Sequence, residues 1–137
     1  MTEKELISLA KKAAKNAYAP YSHHTVGAAL LSKSGKVFLG CNIENAAYTP
    51  TSCAERTAFF KAVSEGEREF EAIAVVGGRE LDFKDYFAPC GVCRQVMAEF
   101  CSKKSFKVIL GKNGDEYKIF TLEEILPFGF SPENLTG

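Results

Sequence analysis

Two stretches organise this chain, Thr51-Ser52-Cys53-Ala54-Glu55-Arg56 and Ala88-Pro89-Cys90-Gly91-Val92-Cys93-Arg94. A helix is predicted to begin within each of them. In the first, Ser52 can cap a helix that runs from Cys53 to about Ser64. In the second, Cys90 follows a proline and opens a helix that runs to about Cys101. Three cysteines and one glutamate are therefore predicted at the starts of two helices.

The segments around these two helices alternate between strand and helix. A further helix is predicted near the N-terminus, where apolar residues from Leu6 to Ala17 follow helical spacing. Strands are predicted over residues 26–31, 36–40, 72–76, 108–110 and 117–120. Asn113-Gly114 makes a hairpin turn, so the last two strands are antiparallel, because a parallel crossover needs about a dozen residues. The pattern predicts an α/β fold with helices on both faces of a mixed, five-stranded sheet.

Composition narrows the class of protein. The chain has 137 residues, of which 46% are hydrophobic, and this suits a single domain over 1–137 with a real core. Seventeen basic residues balance seventeen acidic ones, which favours a small neutral substrate over a nucleic acid. We find no signal segment and no apolar run that could span a bilayer, so no membrane partner is expected. Five cysteines, an odd number, suit the reducing cytoplasm better than a disulfide framework.

The cysteines of the two stretches suit a metal. Thiolates from Cys53, Cys90 and Cys93 can hold one zinc ion per chain tetrahedrally and leave the fourth position open for water. An open position distinguishes a catalytic zinc site from a structural one. Glu55 lies two residues from a ligand, close enough to move a proton of that water. Cys41 and Cys101 have no ligand spacing and are predicted to be small buried hydrophobes.

Each of these features has a simpler interpretation. The Cys90-Gly-Val-Cys93 motif alone fits a thioredoxin-type redox pair equally well, but a redox pair needs neither Cys53 nor Glu55. Ser52-Cys-Ala-Glu55 also fits a capping box, in which Glu55 would only cap a helix. Arg56 could be a solvated helix charge, although three thiolates on one metal would favour a nearby cation. The cysteines together favour catalysis at a zinc site.

Cys-Ala-Glu followed by Pro-Cys-x-x-Cys resembles the zinc-dependent cytidine deaminase family. The resemblance covers nearly the whole chain. It extends to Tyr18–Ser22, Val26–Leu30, Cys41–Ala46 and Leu126-Pro127, which are similar to the short, homotetrameric, three-cysteine members. It implies a three-layer α/β/α cytidine deaminase-like fold. It also implies hydrolysis of cytidine and 2′-deoxycytidine to uridine and 2′-deoxyuridine, with release of ammonia, in pyrimidine salvage.

The resemblance also implies roles for individual residues. Glu55 would be the catalytic acid–base group, and Arg56 would hydrogen-bond the ligand sulfurs. Asn42 and Glu44 would bind the ribose hydroxyls, although both could equally be loop-capping residues. The backbone N–H of Ala54 would meet the carbonyl of the base.

The resemblance also implies that two residues contact a neighbouring subunit and that a third lies at the pyrimidine base. By the resemblance, Phe130 enters the site of a neighbouring subunit and Tyr48 lies in a segment that contacts a neighbour. A homotetramer with shared active sites follows. The family usually has Phe where this chain has His24, and that ring packs on the pyrimidine. The departure puts the packing contact and the choice of substrate in question, and His24 could instead point to solvent.

Three rival functions remain open. A related deaminase could act on a modified cytosine nucleoside such as an antibiotic, although Asn42 and Glu44 favour a ribose. A polynucleotide-editing deaminase shares the zinc motifs, but its relatives carry basic surface and a helix between the last two strands. A structural Cys3His zinc module that uses His23 or His24 would be a binding protein, and it leaves Glu55 unexplained.

Overall fold

The computed structural model describes residues 1–136. These residues form five strands and five helices joined by turns and loops. The helices are α1 (Glu3–Ala14), α2 (Ala54–Ser64), α3 (Gly91–Phe100), α4 (Leu122–Ile125) and α5 (Glu133–Thr136). The strands are β1 (His24–Ser32), β2 (Val37–Cys41), β3 (Phe70–Arg79), β4 (Lys107–Gly111) and β5 (Tyr117–Thr121). None of the helices in residues 1–136 is both long enough and apolar enough to cross a bilayer.

The strands form one mixed sheet in the order β2-β1-β3-β4-β5. β3 and β4 run parallel, and every other neighbouring pair is antiparallel. The hairpin between β4 and β5 is the one predicted from Asn113-Gly114. The mixed five-stranded sheet with its antiparallel last pair is therefore confirmed.

Helices cover both faces of the sheet. Because successive side chains of a strand point to opposite faces, the central strand β3 supplies two separate clusters. On one face Leu6 of α1 packs in the same cluster as Ala74 of β3. On the other face Phe59 of α2 and Met97 of α3 pack with Ile73. The result is the three-layer α/β/α arrangement that the resemblance implies.

Two glycines let helices lie directly on the sheet. A Cβ atom on Gly27 would stand 1.9 Å from the carbonyl oxygen of Ala10 in α1. A Cβ atom on Gly40 would stand 2.3 Å from the carbonyl oxygen of Ala54. The second contact fixes the start of α2 against β2, and so positions the first cysteine stretch.

The stretch after residue 76 differs from the prediction. The predicted strand ends at residue 76, but β3 continues to Arg79. Gly78 pairs with Thr25 and Arg79 pairs with His24, because β1 begins earlier than its apolar run and offers free backbone groups there. Pairing with a long neighbour, rather than local apolar character, extends the strand.

Candidate active site

The two cysteine stretches meet at the starts of α2 and α3. Cys53 is the N-cap of α2 and Cys90 is the N-cap of α3, so both sulfurs leave the chain where a helix begins. The Sγ atoms of Cys53, Cys90 and Cys93 all lie within 4.8 Å of one another. Cys53 Sγ stands 3.8 Å from Cys90 Sγ, which stands 3.5 Å from Cys93 Sγ.

These distances fit a zinc ion. Tetrahedral zinc with Zn–S bonds of about 2.3 Å places its sulfurs about 3.8 Å apart. All five cysteines of the chain are free thiols, so no disulfide competes for the three sulfurs. The donor set is three sulfurs with neither histidine among them, and three protein ligands leave one position of a tetrahedron open.

The predicted cap of α2 is wrong. Cys53, not Ser52, is the N-cap residue, in extended conformation and without a side-chain capping bond. The Ser52 hydroxyl lies one residue too early and donates to the carbonyl oxygen of Cys53 over 3.2 Å. A capping box needs its hydroxyl at the N-cap, three residues before the glutamate. The capping explanation of Glu55 therefore fails.

Glu55 is a buried carboxyl group beside the sulfurs, with 4% of its surface exposed. Burial raises its pKa to about 7, and the charge of Cys53 adds to the increase. Hydrogen bonds from its own backbone N–H and from Cys93, together with the charge of Arg56, oppose that increase. A carboxyl group with a pKa near neutrality can both take up and give back a proton.

Arg56 contacts the cluster directly. Its Nη2 atom donates to Cys53 Sγ over 3.3 Å. Hydrogen bonding from Cys93, followed by that from Arg56 and Cys90, lowers the pKa of the Cys53 thiol to about 5, against the effect of burial. The pKa of Cys93 is raised by its hydrogen bond with Cys53 and by burial. Cys53 is thus set up as a thiolate beside a fixed cation.

A cleft of about 450 Å³ opens beside the sulfurs, a size that suits a small organic molecule. Seven residues singled out from the sequence line it: His24, Asn42, Glu44, Cys53, Ala54, Glu55 and Cys90. The folded chain therefore brings together residues from four separate segments. α2 begins at Ala54, so the N–H groups of its first turn have no partner within the helix.

Asn42 holds the start of β1. Its Oδ1 atom accepts from the backbone N–H of Val26 over 2.9 Å, and its Nδ2 atom donates to the carbonyl oxygen of His24 over 2.8 Å. The side chain is nearly fully buried, with 8% of the residue exposed. One N–H and one lone pair of the amide stay available for a ligand in the cleft.

Glu44 holds the loop between α1 and β1. Its Oε1 atom accepts from the backbone N–H groups of Tyr21 and Ser22 over 3.0 and 3.1 Å, and its Oε2 atom accepts from the Ser22 hydroxyl. The Ser22 hydroxyl is the main reason that the pKa of Glu44 is lowered. Asn42 and Glu44 both line the cleft and both brace loops, so a binding role and a structural role are compatible.

Tyr48 and Phe130 lie outside this cleft. Tyr48 is 90% exposed and Phe130 is 55% exposed. Gln95 of α3 donates to the carbonyl oxygen of Phe130 over 2.9 Å, which ties the C-terminal segment to α3. Their roles in a neighbouring subunit's site stay predictions.

Phe87 lines the cleft and was not predicted from the sequence. It stacks with His24, with ring centroids 6.5 Å apart and an interplanar angle of 29°. The Nδ1–H of His24 donates to the carbonyl oxygen of Ser22 over 2.9 Å, since a carbonyl can only accept. The sequence signal that could have identified Phe87 is an aromatic ring three positions before Cys90.

Observations in residues 1–136 argue against two of the rival functions. A structural Cys3His module needs a histidine at the sulfurs, and the group that could hold a metal in the described residues consists of three cysteines alone. Polynucleotide-editing relatives are expected to carry a helix between the last two strands, whereas β5 follows β4 through a turn.

Comparison with known proteins gives consistent matches. Residues 1–109 match the family model described as the cytidine and deoxycytidylate deaminase zinc-binding region. A cytidine deaminase of Sporosarcina psychrophila is 50% identical over 99% of this chain and 96% of its own length. A cytidine deaminase of Halalkalibacterium halodurans is also 50% identical, over 98% of each chain. The crystal structure of a cytidine deaminase from Burkholderia pseudomallei superposes with a TM-score of 0.86 at 48% identity, over 95% of this chain and 100% of that one.

Proposed function

The chain belongs to the cytidine and deoxycytidylate deaminase family, and on this premise we propose that it catalyses the zinc-dependent hydrolytic deamination of cytidine and 2′-deoxycytidine. The products would be uridine, 2′-deoxyuridine and ammonia, and the pathway would be pyrimidine salvage. One observation carries the proposal. The buried carboxyl group of Glu55 lies beside three clustered sulfurs at the wall of a cleft that could hold a nucleoside.

Cys53, Cys90 and Cys93 would hold one zinc ion per chain. Bound zinc would supply Lewis acidity, which lowers the pKa of water from about 16 to roughly 7. Three thiolates weaken that acidity because they add negative charge. Arg56 would offset part of the charge by donating to Cys53 Sγ.

Glu55 would carry the protons of the reaction. It would take one proton from the attacking water and donate it to N3 of the cytosine ring. The water oxygen would bond to C4, and Glu55, having given its first proton to N3, would take the second proton from that oxygen and pass it to the amino nitrogen. The bond from C4 to that nitrogen then breaks, ammonia leaves, and the C4 carbonyl of uracil forms. A carboxyl pKa raised to about 7 by burial suits a group that must accept and donate near neutral pH.

The rest of the cleft would position the nucleoside. The remaining donor of Asn42 and lone pair of Glu44 would bind the ribose hydroxyls. The backbone N–H of Ala54, at the start of α2, would donate to the carbonyl of the base. His24 would lie beside the pyrimidine.

We further propose the assembly and the setting. Residues 1–137 would act as a single deaminase domain that assembles into a homotetramer. Tyr48 and Phe130 would contact neighbouring subunits, and Phe130 would complete a neighbour's site, which accords with their exposure. The five free cysteines favour the reducing cytoplasm.

The direct test is to mix the purified protein with cytidine and to follow the ultraviolet absorbance change as cytosine becomes uracil. We expect turnover of both cytidine and 2′-deoxycytidine and release of one ammonia per nucleoside. Zinc-loaded protein without turnover of either nucleoside would overturn the proposal.

A further inference from the structure

His24 and Phe87 stand between two cavities. Both rings line the cleft described above, and both also line a second cavity of about 290 Å³. The second cavity continues past Gly77 and Gly78 to Arg79 and other charged side chains. The stacked rings are therefore a partition that closes one side of the cleft.

The backbone of β3 holds the ring of Phe87 in place. A Cβ atom on Gly77 would stand 2.5 Å from Cγ of Phe87, so the ring occupies space that any other residue at position 77 would fill. His24 is fixed from the other side by the hydrogen bond from its Nδ1 atom to Ser22. The contact of Phe87 with Gly77 and the hydrogen bond of His24 with Ser22 therefore hold the two rings of the partition in place.

The partition lines the same cleft as Cys53, Glu55 and Cys90. The reacting carbon must come close to Glu55 and the sulfurs, and Phe87 precedes the ligand Cys90 by only three residues. Ala88, which adjoins Phe87, also lines the cleft. A phenyl ring offers a pyrimidine an apolar, aromatic surface, whereas the ribose needs polar partners such as those on Asn42 and Glu44.

We infer that Phe87 is a specificity-determining residue: it supplies the phenyl surface against which the pyrimidine lies and closes the cleft toward the second cavity. The inference rests on the proposed function. Phe87 places a phenyl ring against the imidazole of His24 from another segment of the chain. The size of the base that the cleft accepts is set by this ring.

Phe87→Ala removes the ring and joins the two cavities. For cytidine we expect KM to rise about 3- to 10-fold, the range for loss of an aromatic contact, with kcat changed less than about twofold. For 5-iodocytidine, whose base is larger, kcat/KM relative to cytidine should rise at least about 5-fold over the parent, because the joined cavities have room for it. Phe60→Ala is the matched control, since Phe60 is an exposed ring of α2 outside the cleft, and it should leave both ratios unchanged.

Gly77→Ala tests the contact that holds the Phe87 ring against Gly77. Its Cβ atom would push the Phe87 ring, so we expect KM for cytidine to rise in the single variant. In the Phe87→Ala background the same substitution should have no further effect, because the ring that it displaces is gone. Equal effects of Gly77→Ala in both backgrounds would show that the substitution does not act by displacing the Phe87 ring. Zinc content and circular dichroism check that each variant is folded, and Phe87→Leu replaces Phe87→Ala if that variant is not.

Binding of uridine, measured by calorimetry, separates this inference from the proposed function. We expect uridine to bind the Phe87→Ala variant about 3- to 10-fold more weakly than the parent. A parent that deaminates cytidine, with a variant of unchanged KM, unchanged uridine affinity and unchanged base preference, overturns the inference and leaves the proposed function standing. A parent that does not deaminate cytidine but loses uridine affinity on Phe87→Ala overturns the proposed function and supports the contact.

Discussion

Replacement of Glu55 by glutamine separates the two roles considered for this residue. Glutamine has nearly the same shape as glutamate but cannot take up and release a proton at neutral pH. If Glu55 moves protons, Glu55→Gln should abolish turnover and keep the fold. A purely capping role, which the N-cap at Cys53 argues against, would instead make the substitution nearly neutral, because glutamine serves in a capping box as well as glutamate does.

The size of the effect follows from the site. A general acid–base group typically contributes about 10²- to 10⁴-fold, which corresponds to about 2.7 to 5.4 kcal/mol of transition-state stabilisation. Glu55 would act more than once in each cycle, and its burial, at 4% exposed, hinders replacement by bulk water. We therefore expect kcat to fall at least about 10³-fold.

The stability of the variant should change little. Glutamine carries no charge into the buried site, and the N-cap of α2 is Cys53 without a side-chain capping bond. We expect a melting temperature within about 4 °C of the parent, equivalent to about 1 kcal/mol for a chain of this size. Zinc content should stay at about one ion per chain, since the three sulfurs are unchanged.

The assay compares two matched substitutions by absorbance at saturating cytidine, with metal content from elemental analysis. Glu124 is the glutamate of an actual capping box with Thr121, so Glu124→Gln is the control, and it should stay fully active. Retention of about half the parent activity by Glu55→Gln would refute the proton-transfer role, because that loss is far below the expected range. Loss of zinc together with activity would show instead that Glu55 acts by holding the metal site.

Three further predictions address the metal, the assembly and pH. Cys53→Ala should remove both zinc and activity, whereas Cys101→Ala should keep both; elemental analysis decides, and zinc loss from the second variant would mean that the ligands are assigned wrongly. Mixing inactive Glu55→Gln chains with Phe130→Ala chains should restore some activity if sites are shared, and no recovery after confirmed subunit exchange would count against sharing. The pKa of Glu44 is lowered from 4.5, so its ionised form stabilises the folded state above that pH, and the contribution is lost as pH falls below it. Glu44→Gln should therefore melt below the parent near pH 7, and the gap should narrow at pH values under about 4.5; a gap that is constant with pH would contradict this linkage.

The sheet could be predicted well because its signals are local. Apolar runs such as Ile73–Val76 and the turn at Asn113-Gly114 specify strands and a hairpin without knowledge of the rest of the chain. The extension of β3 to Arg79 could not be predicted in this way, because its backbone partners lie on β1 and the segment itself has no apolar pattern.

The residues of the site also differ in whether the local sequence is enough to predict them. The clustering of Cys53, Cys90 and Cys93 could be predicted because the spacing of the cysteines along the chain is the spacing that zinc ligands need. The dual use of Asn42 could not, because its partners Val26 and His24 come close only after folding. The place of Phe87 in the cleft could not be predicted for the same reason, because its stacking on His24 and its contact with Gly77 join separate segments of the chain.

The order of the strands has a consequence during synthesis. β1 lies between β2, which follows it at once, and β3, whose Ile73 pairs with Leu30 only after about 40 further residues have been made. At 5–20 residues per second, a nascent chain would leave the backbone N–H and C=O groups along one edge of β1 unpaired for roughly 2 to 8 s. β3 then pairs with β4 in parallel, across a connection that includes α3. Until β3 emerges, that edge of β1 has no partner strand, because α1, which is made earlier, packs against a face of the sheet and not against the edge of β1.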